Sequence, residues 1–258
     1  MTNRHFFKFT TTFKIFILFL IFLLLEGIFH FYYHIISQKI DYFDYRDQTG
    51  YNTIIWSENG LVELLQIFFL IISIIFIIKF LKKRFKSINI YLKIFMILYC
   101  VGIFYYFFEE ISWGQHFFGW YTPEVFSKIN MQNETNIHNI SSIFNELPRN
   151  ILLIWCSLSF FFYKSFKLKF PNFSQIMYPS TNLKFISILI LFFFIPDLII
   201  DKLNLAPGHP AKDNTEILLN NLFEIISFNF VRLSELQELF FNYYIVSHAY
   251  YLSIIDNK

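Results

Sequence analysis

YYFFEEISWGQHFFGW, Tyr105 to Trp120, continues as YTPEVFSKIN and then MQNETNIHN, ending at Asn139. Its first residues close an apolar run, and that run stops on two adjacent carboxylates, Glu109 and Glu110. An uninterrupted apolar stretch ending in charge is the pattern of a helix that crosses a bilayer and reaches its interface. Gln115, His116, Glu134, Asn136, His138 and Asn139 follow closely, and nowhere else in the chain are ligand-forming side chains so dense. Interfacial loops are ordinarily rich in Trp, Asn and Glu, so density alone does not make a site. The polar residues of the other helices decide the matter.

The strings EEISWGQ, FGW-x-TPE and QNETNIHN resemble a signature of uncharacterised bacterial multi-pass membrane proteins of about this length. The resemblance implies an integral membrane protein and carries no activity, substrate or cofactor with it.

Composition agrees with that class. Of 258 residues, 55% are hydrophobic and 16% charged, against about 25% charged in a soluble domain. The 38 Phe accompany abundant Ile, Asn and Lys, all residues of AT-rich codons, so aromatic stripes are not read as cofactor boxes. Cys100 and Cys156 fall inside apolar runs and form neither a disulfide framework nor a metal motif. Arg4, Lys8 and Lys14 precede an apolar run too long for a signal peptide and without a small-residue cleavage site, so a retained anchor is expected. No nucleic-acid motif or extended basic surface is present, which argues against a nucleic-acid partner.

Runs long enough to span lie near 13–35, 60–80, 88–108, 150–164, 185–201 and 236–255. They predict an all-α fold, a polytopic bundle of about six transmembrane helices forming a single integral membrane domain over 1–258. The cluster Lys79, Lys82, Lys83, Arg84 and Lys86 sits directly after the second run, and most of the 21 basic residues fall on that side. Basic connections stay cytoplasmic, so both termini are expected in the cytoplasm of a cell inner (plasma) membrane. Of the 19 acidic residues, only Asp256 then lies inside. The long connections near 36–59, 109–149 and 202–235 all face outward, and residues 216–230 read as an interfacial helix on the outer leaflet. In the second connection, Thr122-Pro123-Glu124 reads as a helix start with Thr122 as N-cap, and continuing that helix would put Glu134 and His138 on one face.

Ionisable groups inside a bilayer cost roughly 2.5–3.5 kcal/mol each on insertion scales and face a bundle interior or a cavity. Glu26, His30 and His34 form one stripe of the first run. Glu63 and Gln66 open the second, Glu109 and Glu110 close the third, Asp197 and Asp201 lie at the outer end of the fifth, and Glu235 and Glu238 open the sixth. Five of the six crossings thus bring acids to one depth on one side, which predicts a single outward-opening polar cavity. Gln115, Asn136 and Asn139 are expected to support it.

Three functions follow. A membrane-embedded hydrolase or transferase acting on a lipid or lipid-linked substrate would draw its acid or base from Glu109, Glu110 or Glu134, with His116 and His138 as partners. If a divalent metal is bound, His116, Glu134 and His138 are the expected ligands, since mixed His and carboxylate donors suit zinc, iron or manganese. A proton- or cation-coupled transporter would use Glu26, His30, Glu63 and Asp197, with His248 deeper in. An assembly or structural subunit would offer its polar face to another membrane protein.

Overall fold

The computed structural model describes residues 60–130, 134–138, 140–169, 176–177, 183–202 and 233–254, together with Lys14, Ile17, Leu18, Ile21, Leu24, Leu25 and Ile28. Glu26, His30, His34, Asn139 and the helix read over 216–230 lie outside the described residues, as do the side chains of His116, Asp197 and Asp201. Among the described residues the secondary structure is helical, with no strand.

Five long helices cover the second to sixth apolar runs: α1 (Leu61–Arg84), α2 (Ile90–Glu110), α3 (Ser142–Lys169), α4 (Lys184–Lys202) and α5 (Leu233–Ile254). The first run is described at one stripe only, where Ile17, Leu18, Ile21, Leu24, Leu25 and Ile28 are helical and exposed. Among the described residues two helices, α1 and α2, are long and apolar enough to cross a membrane. At 24 and 21 residues they extend about 36 and 32 Å, against a hydrocarbon core of about 30 Å. Up to the basic end of α1, where Lys79, Lys82 and Lys83 are exposed, the uncovered faces are apolar, with Leu64, Phe68, Ile71, Ile75 and Ile78 exposed on α1 and Ile94, Ile97, Leu98 and Val101 on α2. A water-facing helix would place charge there.

The helix ends follow local chemistry. Glu63 sits in the first turn of α1 and Lys82, Lys83 and Arg84 in its last, each sign opposing the end of the helix dipole beside it. Asn89 caps α2, its side chain accepting from the Leu92 amide at 2.9 Å. The intervening connection is short, so α1 and α2 are antiparallel neighbours. One boundary differs from the sequence reading, because α3 begins at Ser142 rather than near 150 and carries Pro148 inside it. Proline contributes no amide there, so the Phe144 carbonyl loses its usual helical donor.

The last helix is the hub, packing against α1 along its length and also against α4 and α3. Successive pairs, Gln66 with Glu235, Phe69 with Tyr243 and Phe76 with Tyr250, advance in the same direction, so α1 and α5 run parallel. Tyr106 with Asn242 and Tyr99 with His248 advance oppositely, so α2 runs antiparallel to α5. The N-termini of α1 and α5 and the C-terminus of α2 therefore share one end of the bundle, and the basic cluster Lys79–Lys86 lies at the other. One apolar cluster joins Leu70, Ile77, Phe80, Met96, Ile103 and Ile245; a second joins Leu153, Cys156, Ile186, Leu189, Phe240 and Tyr244.

Leu70 is fully buried where α1 meets α5, whereas Ile75, on the same helix, is exposed. Leu70→Ala is expected to lower unfolding free energy by about 2–5 kcal/mol, and Ile75→Ala by less than about 0.5 kcal/mol. Thermal or denaturant unfolding in detergent, followed by tryptophan fluorescence, measures both.

Candidate functional site

The organising stretch leaves α2 through a left-handed turn. Ser112, Trp113 and Gly114 have φ of 45°, 56° and 101° in succession. Two non-glycine residues in that region are costly, by about 1–2 kcal/mol each, so the turn persists only because its neighbours hold it. Gly114 is required twice over: its φ suits glycine, and a Cβ would lie 2.9 Å from the Trp120 ring.

What holds the turn is a polar network that returns residues 130–138 to the end of α2. Ser112 donates to Glu134 Oε2 at 2.7 Å, and Asn136 Nδ2 donates to both the Ser112 hydroxyl and Glu134 Oε2. Gln115 Oε1 accepts from the Thr135 amide at 2.8 Å, while Gln115 Nε2 donates to Thr122 Oγ1 at 2.8 Å. Asn130 Nδ2 donates to the Asn136 carbonyl and side chain, and Asn130 Oδ1 accepts from the Glu134 amide. Ser112, Asn130, Glu134 and Asn136 are all buried by this packing. The helix expected from Thr122 onward is short, spanning Glu124–Ile129, and its N-cap is Pro123, which has no side-chain acceptor, while the Thr122 hydroxyl accepts from Gln115. Glu134 and His138 consequently do not share a helical face. They sit in irregular chain whose amides are satisfied by Asn130 and Glu109.

Glu109 is the anchor of that return. Its Oε1 accepts from Trp113 Nε1 at 2.8 Å, and its Oε2 accepts from the Ile137 and His138 amides at 2.7 and 2.9 Å. His138 Nδ1 lies 3.2 Å from the same oxygen. With Glu109 only 3% exposed, that carboxylate fixes the imidazole by its Nδ1–H, which leaves Nε2 as the basic nitrogen.

Beside this loop lies a cavity of about 540 Å³. Its polar end carries Glu63, Glu110, Glu235 and Glu238 from α1, α2 and α5; Glu109, Glu134, Asn136 and His138 from the loop region line the cavity as well, as does the cation Arg149 of α3. Glu110 interacts electrostatically with Glu238, Glu235, Glu63 and Glu109. Gln66 Nε2 donates to the Glu235 carboxylate at 3.1 Å and to its carbonyl at 2.9 Å. The other end is apolar, walled by Leu98, Gly102 and Ile103 of α2 and by Phe144, Leu147 and Ile151 of α3. Leu98 is 65% exposed, and Leu147 and Ile151 are exposed too, so this end opens sideways between α2 and α3.

The structure therefore brings Glu63, Glu109, Glu110, Glu134, Asn136, His138, Glu235 and Glu238 around one space, with Gln115 bracing the loop behind it. His116 lies in a short helix, Gln115–Phe118, and Asp197 and Asp201 in α4, with none of their side chains among those described. Among the described residues no group of three His, Cys, Asp or Glu side chains is placed to hold a metal ion. His248 lies deeper, its Nε2 donating to the Ile176 carbonyl at 2.8 Å and its Nδ1 3.1 Å from the Tyr99 hydroxyl. Asn130, Tyr99 and the α3 wall were not singled out from the sequence; the apolar spacing of Phe144, Leu147 and Ile151 at i, i+3 and i+7 was the available signal for the wall.

No family model, curated protein or solved structure matches the chain.

Glu109→Gln removes the charge that four N–H groups share, each such bond being worth about 1.5–3 kcal/mol, and Gly114→Ala forces a Cβ into the Trp120 ring. Both are expected to speed hydrogen exchange at residues 134–138 on the order of tenfold or more, with exchange in α5 unchanged. Exchange mass spectrometry reads both regions in one experiment.

Proposed function

We propose that the chain is a multi-pass protein of a bacterial inner (plasma) membrane, with six crossings and both termini cytoplasmic, and that it is a hydrolase or transferase acting on a lipid or lipid-linked substrate at the outer face. The observation that carries this reading is the His138–Glu109 pair on the wall of a cavity that is acidic at one end and apolar and laterally open at the other. A lipid can enter such a cavity from the bilayer with its chains between α2 and α3, leaving its polar group beside His138 and Glu110.

The roles follow from the hydrogen bonding. Glu109 already serves four donors and orients the imidazole, so it is a positioning residue. His138 Nε2 takes a proton from the attacking hydroxyl or water. Glu134 is held by Ser112 and Asn136 and shapes the loop. Glu110 reaches the same cavity from the end of α2 and is the acid that donates a proton to the leaving group. Because Glu110 and Glu134 line one space rather than separate surfaces, the enzyme reading is favoured over the assembly-subunit one.

The purified full chain, incubated with a total lipid extract of its host, is expected to change at least one lipid species by mass spectrometry. His138→Ala and Glu110→Gln should slow that change on the order of a hundredfold, while Lys128→Gln, on the exposed Glu124–Ile129 helix, should not. Unchanged lipids with the wild-type chain would remove the enzyme reading. Orientation is checked separately by cysteine labelling on a background lacking Cys100 and Cys156. Lys128→Cys is expected to react with an impermeant reagent from outside and Lys83→Cys is not.

A further inference from the structure

Away from the cavity, residues 113–129 turn a surface outward that is built of rings and aliphatic side chains. Trp113, Phe117, Phe118 and Trp120 are exposed, Tyr121 is 97% exposed, and Val125 and Ile129 are exposed one turn apart on the short helix Glu124–Ile129. The carboxylate and ammonium of this segment, Glu124 and Lys128, bond to each other at 2.6 Å, on a face about 100° round the helix from Val125 and Ile129. Both indole N–H groups are satisfied from within, Trp113 Nε1 by Glu109 Oε1 at 2.8 Å and Trp120 Nε1 by Thr135 Oγ1 at 3.3 Å, so these rings turn carbon outward. Phe118 and Trp120 stack with centroids 5.7 Å apart beside Gly114, so the left-handed turn itself presents them. An apolar surface of this extent marks a site of contact with a membrane or a partner.

Continuity with α2 decides which. Ile90, Ile94, Ile97, Val101, Phe104 and Phe108 recur at alternating steps of four and three, one stripe on the uncovered side of that helix, and Trp113 stacks on Phe108 with centroids 5.3 Å apart. The stripe passes from helix to loop without a polar break. α2 is long and apolar enough to cross a membrane, and its length of about 32 Å exceeds the hydrocarbon core of about 30 Å by little, so Glu110 and Trp113 come out at headgroup level. We infer that the surface from Trp113 to Ile129 is seated in the lipid interface at the acidic end of α2, its rings among the headgroups and upper methylenes, with Glu124 and Lys128 turned to water. Trp113 and Trp120 are bonded to Glu109 and Thr135, so the lipid-seated surface and the loop that carries His138 form one unit, and the bilayer helps hold that loop. The inference depends on α2 spanning the membrane and on nothing in the reaction proposed above.

Nitroxide labels on single cysteines test this, in the full chain carrying Cys100→Ser and Cys156→Ala and reconstituted into vesicles of phosphatidylcholine and phosphatidylglycerol. Power saturation is read against oxygen, which partitions into lipid, and against a nickel chelate, which stays in water. Ile97→Cys is expected to give the highest ratio of oxygen to nickel accessibility. Tyr121→Cys and Val125→Cys should give intermediate ratios, each several-fold above that of Lys128→Cys. Val125 and Lys128 are three residues apart on one helix, so a difference between them does not arise from loss of the loop's fold. Ratios at Tyr121→Cys and Val125→Cys equal to that at Lys128→Cys overturn the inference. Labels at both positions that neither reagent reaches also overturn it, the result if a second copy or another protein covered the surface. A ratio at Ile97→Cys as low as that at Lys128→Cys would remove the membrane placement of α2 and this inference with it. A chain that turns over no lipid yet gives the expected order of ratios loses the enzyme reading and keeps this one.

Discussion

The site depends on one carboxylate at a helix end. α2 runs out at Glu109 and Glu110, and Glu109 turns inward to accept four N–H groups from Trp113, Ile137 and His138. Without it, the strained turn at Ser112–Gly114 has nothing to face, and residues 134–138 have two amides without acceptors where the chain is packed against α2. Charge-assisted bonds are about twice as strong as neutral ones, which is enough to offset positive φ at Ser112 and Trp113. The adjacent Glu110 has a different fate because it is one residue, about 100° of helix, further round. It faces α1 and α5 and therefore the cavity.

That division recurs across the acidic pole. Glu109 and Glu134 accept from donors of the loop and build it, whereas Glu63, Glu110, Glu235 and Glu238 gather on the cavity wall, where Glu235 accepts from Gln66 and Arg149 is a further lining residue. The first pair makes structure and the second group makes a field. A cluster of carboxylates at low dielectric is retained only when donors, protons or a cation offset it, and Arg149 of α3 brings positive charge to the same lining. Chemistry and entry route are thus set by the same two helices, with α2 supplying Glu110 at one level and Leu98 and Gly102 two to three turns below it.

Much of the acidic pole was legible in the sequence because the signal is one-dimensional. Glu63, Glu109, Glu110, Glu235 and Glu238 each stand at the end of an apolar run, and antiparallel packing of successive runs puts those ends together. The loop was not legible, because its fold depends on side chains reaching backbone over gaps of 20 to 29 residues, as Gln115 does to Thr135 and Glu109 to His138. Helical periodicity carried past Pro123 gave Glu134 and His138 a shared face that the chain does not have; His138 is tied to Glu109 and Glu134 to Ser112 and Asn136 instead. The start of α3 was misplaced for a related reason. Pro148 reads as a helix boundary, yet the helix continues back to Ser142 because its first turns have an apolar side, Phe144, Leu147 and Ile151, on the cavity.

The central place of α5 was also hidden, and its physical origin lies in what buries a helix. A run apolar on one face announces a partner, but α5 carries Gln237, Asn242, Ser247 and His248 among its apolar residues, all of them buried, so no single face stands out. Two of them find partners on neighbouring segments, Asn242 in Tyr106 and His248 in Tyr99 and the Ile176 carbonyl, while the Gln237 side chain has no hydrogen-bond partner. Tyr99 and Tyr106 are seven residues apart on α2, two turns, and both line the cavity, so the same face of α2 that satisfies α5 also forms the cavity wall. Packing and site are therefore coupled: any movement of α2 that opens the cleft toward α3 must also loosen its bonds to Asn242 and His248. α5, the core of the bundle, thereby also holds the face of α2 that lines the cavity.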